Sequence, residues 1–271
     1  MSERLRALGL ALVLLPAVFW PLERLFAARP GQPWLRPRLI TDLAFMAGQY
    51  LLWAALSLWL LIQLDAQLAL VVPAGLREWV AAWPWALQAL VAVLLADVSV
   101  YWFHVASHRV PWLWRFHAIH HSSRHLDWVA AHREHPVDGF LTQVAINLPA
   151  MVLGVDLATL AWLVAFRGLW AIFIHSNVRL PLGPLRWMFG APELHHWHHL
   201  ETTDTQHNFA NLAPWTDLLF GTYYVPPGDE TWPLGNPGEP TRGYLEHLIS
   251  PFRPAPSADV TAARSPRPEL E

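Results

Sequence analysis

Long apolar runs separated by short polar connections occupy most of the first two-thirds of the chain. Residues 7–20 are apolar but interrupted by Pro16. They continue into Pro21-Leu-Glu-Arg without a small-residue cleavage site, which predicts an anchor helix rather than a removed leader. Residues 39–64 form a second run with only Asp42 charged near its start. Residues 68–76 are too short to cross a bilayer and are expected at its surface. Residues 83–103 are apolar apart from Gln88 and Asp97, and residues 140–174 suffice for two passes with a turn at Gly154-Val155-Asp156. Arg167 falls inside that last run, where a charge requires a partner or a watery cavity. About twenty helical residues reach about 30 Å, the thickness of the hydrocarbon core. The pattern therefore predicts an all-α integral membrane bundle of about four to five spanning helices. Beyond Pro226 the chain turns rich in Pro and charge with no apolar period, which reads as a loosely ordered tail. The expected divisions are an anchor helix and basic loop (1–38), a membrane domain (39–225) and the tail (226–271).

The connections set an orientation. Arg24, Arg29, Arg36 and Arg38 lie between the first two runs, whereas residues 65–82 hold only Arg77. The positive-inside tendency puts the first connection in the cytoplasm. The third run then returns to that side, and an out-and-back hairpin over 140–174 keeps everything after His175 there too. All the histidine-rich segments thereby meet as a cap at one face, the cytosolic one.

Composition narrows the class. The chain has 271 residues, 54% hydrophobic and only 14% charged, against about 25% charged in ordinary soluble domains. A net charge of −3, with no lysine, argues against nucleic-acid binding. No cysteine is present, which removes disulfides, iron–sulfur clusters and thiolate-bound zinc. Two counts stand out, 17 Trp and 15 His. Trp suits the membrane interface, and Trp53, Trp59, Trp162 and Trp170 are expected to contact lipid. The histidines need a chemical explanation.

They fall into clusters with metal-ligand spacing: His104-Val-Ala-Ser-His108, His117-Ala-Ile-His120-His121 and His195-His196-Trp197-His198-His199. Positions i, i+3 and i+4 share one helical face, so each cluster can aim its rings at a common point. Two copies of H-x-x-H-H in one chain are a poor fit to surface or capping histidines. Imidazole suits Fe, Zn, Cu and Ni. Eight nitrogens exceed the coordination of one ion and suffice for two, with positions left for a small molecule. A carboxylate-bridged centre needs two Glu-x-x-His units, and only Glu193 to His196 has that form. A histidine-held pair of irons is the preferred reading. Asp97, Tyr101, His104 and His108 lie on one helical stripe. Asp97 either accepts a hydrogen bond from a ligand ring or pairs with an arginine of a neighbouring helix. His125, His132, His196 and His207 are expected beside the site or at the surface, and His247 in solvent.

Asp97…Tyr101-Trp-Phe-His104…His108, Trp114-Arg-Phe-His117-Ala-Ile-His120-His121-Ser, His135-Pro, His175-Ser-Asn177, His195-x-x-His198-His199, Asn208 and Asp217-Leu-Leu-Phe-Gly-Thr222 together resemble the fatty acid hydroxylase/sterol desaturase superfamily. The resemblance covers about residues 90–224. It implies a non-haem di-iron centre at the cytosolic face of a helical membrane core, and O2-dependent hydroxylation or desaturation of a lipid. By position it assigns His104, His108, His117, His120, His121, His195, His198 and His199 as iron ligands, with His175 at a further ligand position. A tenth-ligand position of some members is Arg179 here, which leaves His135, His132 or Asn177 as candidates. Tyr101, Asn208 and Asp217, with Asp97, are expected just outside the ligands, and no catalytic residue is expected beyond them. Val105 stands where an Arg is common, and Asn208-Phe-Ala where Asn-Tyr-Gly is usual. The chain carries no G-x-G-x-x-G, no thiol redox motif and no c-type haem motif, so electrons are expected from a ferredoxin or a cytochrome b5-type protein. The rival readings are a haem- or metal-binding membrane electron carrier and a metal transporter. A haem carrier needs histidines in mid-span, and a transporter needs polar residues through the midplane. The oligomeric state is not legible in the sequence.

Overall fold

A computed structural model describes residues 2–253 except 156, 181, 203, 204 and 239. Helix α1 is Ser2–Leu25. Helix α2 (Leu39–Gly48) runs through a π-helical turn, Gln49–Trp53, into α3 (Ala54–Val71), and α4 (Ala74–Ala81) follows. Helix α5 is Trp85–Arg109 and α6 is Pro111–His121. Helices α7 (Pro136–Leu153) and α8 (Leu157–His175) form a hairpin. Short helices α9 (Pro192–His198), α10 (Trp215–Phe220) and α11 (Tyr244–Ile249) complete the chain. No named strand occurs among the described residues, only the isolated bridges Ala27 to Val178 and Leu200 to Leu234.

Four stretches are long and apolar enough to cross a membrane: Glu3–Leu25, Leu39–Val71, Trp85–Arg109 and Pro136–Leu153; α8 is a shorter apolar helix. The first two runs are longer than the apolar pattern predicted. Pro16 and Pro21 sit inside α1 without ending it, and residues 68–71, expected at the surface, prolong α3. Exposed apolar side chains stud these helices, among them Leu10, Val13, Trp59 and Trp162, as lipid-facing positions require. Gly154 ends α7 with φ 79°, a left-handed conformation that glycine adopts without strain. That turn reverses the chain where the sequence placed it; Asp156 lies outside the described residues.

Two packing cores run through the spans. Leu61, Val80, Ala92, Ala150, Met151 and Leu160 join α3, α4, α5, α7 and α8, and Ala11, Leu15, Phe19, Met46 and Ile172 join α1, α2 and α8. Arg167 meets Asp97 at 2.5 Å with both side chains buried. Trp215 Nε1 donates to the other Asp97 oxygen at 3.0 Å.

Arg36, in the connection before α2, is buried and pairs with Asp42 (2.7 Å) and Asp127 (2.5 Å), and Asp42 also holds Arg133 (2.5 Å). Two expectations need correction. Residues 226–253 of the expected tail pack on the domain. Tyr244 accepts a hydrogen bond from half-buried Trp53 at Nε1 (3.1 Å), which ties this segment to the π-helical turn. His247, expected in solvent, is 2% exposed against Phe45. An apolar period was the wrong signal there, because short polar segments bury themselves through specific pairs rather than a stripe. Residues 254–271 lie outside the described residues.

Candidate metal centre

The hairpins bring the C-terminal ends of α5 and α8, the N-terminal end of α7, and helices α6 and α9 to one end of the bundle. Helix α6 begins at Pro111, where a missing N–H costs nothing, and α7 is capped by His135, whose Nδ1 accepts the Val137 N–H at 3.1 Å. At this end nine histidines gather in two groups. His104, His108, His117, His121 and His198 form one; His120, His175, His195 and His199 form the other. Within each group, one ligating nitrogen per ring lies within 4.8 Å of all the others.

The division corrects the expectation that each cluster aims at one point. In α6, His117 and His121 enter the group of five while His120 enters the group of four; at α9 and the residue that ends it, His195 and His199 enter the group of four while His198 enters the group of five. Residues four apart face one way and their neighbour faces about 100° away. Each H-x-x-H-H motif therefore feeds both groups, in opposite proportion, and the stacked rings of His121 and His199 (4.3 Å) join the two.

Hydrogen bonds fix the ring nitrogens. Nδ1–H of His104 donates to Phe209 O (2.8 Å), that of His198 to His207 O (2.8 Å), that of His120 to Arg133 O (3.2 Å) and that of His175 to Ala171 O (2.6 Å). His117 Nδ1 meets the Asp138 carboxylate at 2.9 Å. A ring that donates through Nδ1 presents a bare lone pair at Nε2. Yet Nε2 of His120 and His175 stand 3.0 Å apart, and those of His175 and His195 2.8 Å apart. His104, His117 and His121 have buried Nε2 atoms with no hydrogen-bond partner. Converging, unpaired lone pairs repel unless a cation sits between them, so this donor set fits metal ions. Burial also keeps the rings neutral, the ligating form. It pushes the pKa of His117 down to about 3 and those of His120, His121, His195, His198 and His199 well below the usual imidazole value.

The remaining predicted residues lie elsewhere. His132 Nδ1 pairs with Gln49 Oε1 at 3.0 Å, His135 Nε2 with Leu248 O at 3.2 Å, and Asn177 Oδ1 accepts the Arg29 N–H at 2.9 Å. None of these three joins a group, so no tenth nitrogen is found among the described residues. Asp97 takes the arginine of a neighbouring helix, not a ring of either group; the carboxylate beside a grouped ring is Asp138, against His117, which the sequence reading missed. The signal was an Asp in the first turn of a helix that starts at His135-Pro136. Tyr101 bonds Thr222 Oγ1 at 2.9 Å. Asp217 accepts the N–H groups of Phe209 (2.8 Å) and Ala210 (3.0 Å), so it steadies His104 through the Phe209 carbonyl. Asn208, at φ 56°, is tied to Leu194 O and Tyr224 O. His196 points away from both groups to Glu230 at 2.6 Å. His207 lends its carbonyl to His198 and stacks its ring on Tyr224, and half-buried His125 accepts the Ser123 hydroxyl through its carbonyl.

A cavity of about 560 Å³ opens beside the groups. His104, His117, His120, His175 and His195 form one wall, and Leu15, Val100, Phe103, Ile146, Leu169 and Ile172 are among the apolar residues of the others. The π-helical turn aims Gln49 and Tyr50 into the same space. The features that the rival readings need are missing among the described residues. The grouped histidines sit at helix ends rather than in mid-span, and among the charges of these helices Asp97 pairs with Arg167, Asp65 with Arg77, and Asp42 with Arg36 and Arg133.

Residues 89–222 match the fatty acid hydroxylase family. The chain is 33% identical over 176 residues to the ornithine lipid hydroxylase of Rhizobium tropici, covering 64% of this chain and 53% of that protein. It is 30% identical over 168 residues to the alkylglycerol monooxygenase of Danio rerio (58% and 35%) and 25% identical over 144 residues to the Delta(7)-sterol-C5(6)-desaturase of Nicotiana tabacum (52% and 51%). The chain thus spans about half or less of the length of these relatives. No solved structure matches it. Residues 89–222 belong to the fatty acid hydroxylase family, and the chain is an integral membrane protein.

Proposed function

We propose that this chain is a membrane-bound di-iron oxygenase that hydroxylates a C–H bond of a lipid with O2 and two external electrons. The single observation behind this reading is the wall of histidine nitrogens closing one side of a cavity whose other sides are spanning helices. His104, His108, His117, His121 and His198 would hold one iron, and His120, His175, His195 and His199 the other. Iron held there supplies the oxidising power to break an unactivated C–H bond. The balance is R–H + O2 + 2e⁻ + 2H⁺ giving R–OH + H2O.

The protein's own residues do the rest. The carbonyls of Phe209, His207, Arg133 and Ala171, with the Asp138 carboxylate, fix which nitrogen of each ring faces inward. The apolar walls seat the lipid and exclude water from the reacting carbon. Access is from the bilayer, because α1, α3, α5, α7 and α8 all contribute lining residues. The arginines of the connection before α2 favour a cytoplasmic cap, where a ferredoxin or cytochrome b5-type donor delivers electrons.

The test is purified protein in lipid nanodiscs, loaded with ferrous iron and supplied with a reduced ferredoxin and isotopically labelled O2. The expected results are a non-haem ferric Mössbauer signal and a lipid product heavier by one labelled oxygen. A product lighter by two hydrogens would make it a desaturase. A Soret band, or metal uptake into vesicles with no O2 consumption, would overturn the assignment in favour of a haem carrier or a transporter.

A further inference from the structure

A second cleft, of about 370 Å³, is lined by Arg38, Arg124, Arg133, Arg242 and His247 among others and shares no residue with the cavity beside the histidine groups. Among the described residues no carboxylate lines it. The acids nearest in the ion-pair network are already committed: Asp42 and Asp127 balance Arg36 and Arg133, and Glu246 lies 3.8 Å from Arg242. Arg38 and Arg124 meet no carboxylate among the described residues, so the cleft carries an uncompensated positive charge.

Its buried donors are left open. Arg133 is 3% exposed, yet its Nη2 has no hydrogen-bond partner, and neither has Nδ1 of buried His247. Burial, with the guanidinium groups of Arg133, Arg242 and Arg38 facing it, pushes the His247 pKa down to about 3; several positive charges thus converge on one spot. A buried donor without an acceptor is costly, and an anion in the cleft removes that cost. Arg38 lies there against a backbone penalty. Its φ of 71° is a left-handed conformation that glycine would adopt freely and an arginine rarely does, and its guanidinium donates to the Arg242 carbonyl. It also stands at the start of α2, whose positive end has no side-chain cap.

We propose that this cleft holds the phosphate of an anionic phospholipid, a bound lipid distinct from any lipid that enters the cavity beside the histidines. Arginine forks match phosphate oxygens and bond several of them at once. The walls favour a lipid over a soluble anion or an acidic protein. Ile40, two residues after Arg38, is 83% exposed and belongs to a stretch long enough to cross a membrane. On α11, Leu245 and Ile249 are one turn apart and exposed, while His247 between them is buried and lines the cleft. The cleft therefore lies where a span meets the bilayer surface, the level of headgroup phosphates, with apolar side chains beside it for acyl chains. A phosphate there joins three separate segments: the start of α2 through Arg38, the connection between α6 and α7 through Arg124 and Arg133, and the C-terminal segment through Arg242 and His247. Binding is therefore expected to stabilise the fold.

The experiment follows the full chain in detergent by native mass spectrometry and thermal unfolding with four probes: phosphatidylglycerol, phosphatidylcholine, diacylglycerol and soluble glycerol 3-phosphate. The wild type should retain phosphatidylglycerol and unfold at a higher temperature in its presence. Phosphatidylcholine should bind more weakly, because its quaternary amine meets the arginines, and diacylglycerol more weakly still. Arg124→Gln removes a guanidinium with no partner among the described residues; it should weaken phosphatidylglycerol binding ~10-fold and leave the unfolding temperature of the lipid-free protein unchanged. Arg38→Gly relieves the backbone while deleting the charge, and should weaken binding about as much. Arg186→Gln, outside the cleft, should bind as the wild type does. Equal retention of phosphatidylglycerol and either other lipid, unchanged binding in both cleft variants, or the same loss in Arg186→Gln overturns the proposal. So does stabilisation by glycerol 3-phosphate equal to that by phosphatidylglycerol, which would mark a site for a soluble phosphate. Weaker capture of an acidic ferredoxin by the cleft variants, with phosphatidylglycerol retained as before, would assign the arginines to an electron donor and overturn it too.

Discussion

The two histidine groups look alike in composition and are held very differently. The group of five takes rings from α5, α6 and α9, and one of them, His117, leans on the buried carboxylate of Asp138. The group of four has carbonyl partners for His120 and His175 only, and the Nδ1 atoms of His195 and His199 have no partner among the described residues. It also depends on His175, the one ring that α8 supplies. A carboxylate behind a ligand ring raises its basicity and fixes its tautomer. The difference teaches that one group is locked by the cap, while the other has fewer rings, three of them on the cavity wall, and a metal held there would have positions to spare for a small molecule.

The largest effect should come from taking a ring out of each group in turn. His175→Ala leaves three rings and is expected to abolish lipid hydroxylation and strip metal from the group of four. His108→Ala leaves four rings and should retain most of its iron. Iron content with Mössbauer spectra checks this, and equal losses in the two variants would erase the asymmetry. Next in size is a change remote from both groups. Asp97→Asn strands the buried Arg167 guanidinium and should lower stability by ~3–5 kcal/mol, seen as an earlier unfolding transition. Both groups should lose iron together, and only with the fold. Selective loss from either group would mean that Asp97 serves a ligand after all. The smallest and most discriminating change is Asp138→Asn, expected to weaken metal binding ~10–100-fold in the group of five while the group of four holds its metal, as read by chelator competition.

Much of this was legible in the chain itself. The apolar runs marked the spans, Gly154 marked the turn between α7 and α8, and the histidine spacing picked out eight of the nine rings that gather, the ninth, His175, coming from the family resemblance. What failed did so for identifiable reasons. Asp97 had two readings on one helical stripe, and only the position of α8 decides that Arg167 is its partner. Asp138 was invisible because it is 21 residues from His117 and belongs to another helix. His247 and Tyr244 looked like tail because a segment that packs through a few specific contacts has no periodic pattern to read.

Spacing along a helix dictates which rings can share a face, since backbone geometry sets a fixed rotation per residue. It therefore marked these histidines as candidates to hold metal, and the spans as helices long and apolar enough to cross a bilayer. It could not determine which face meets which. The exchange of rings between α6 and α9 and the carboxylate behind His117 both depend on how separate helices are set against one another. That setting is the work of long-range packing and buried ion pairs, which no local pattern encodes.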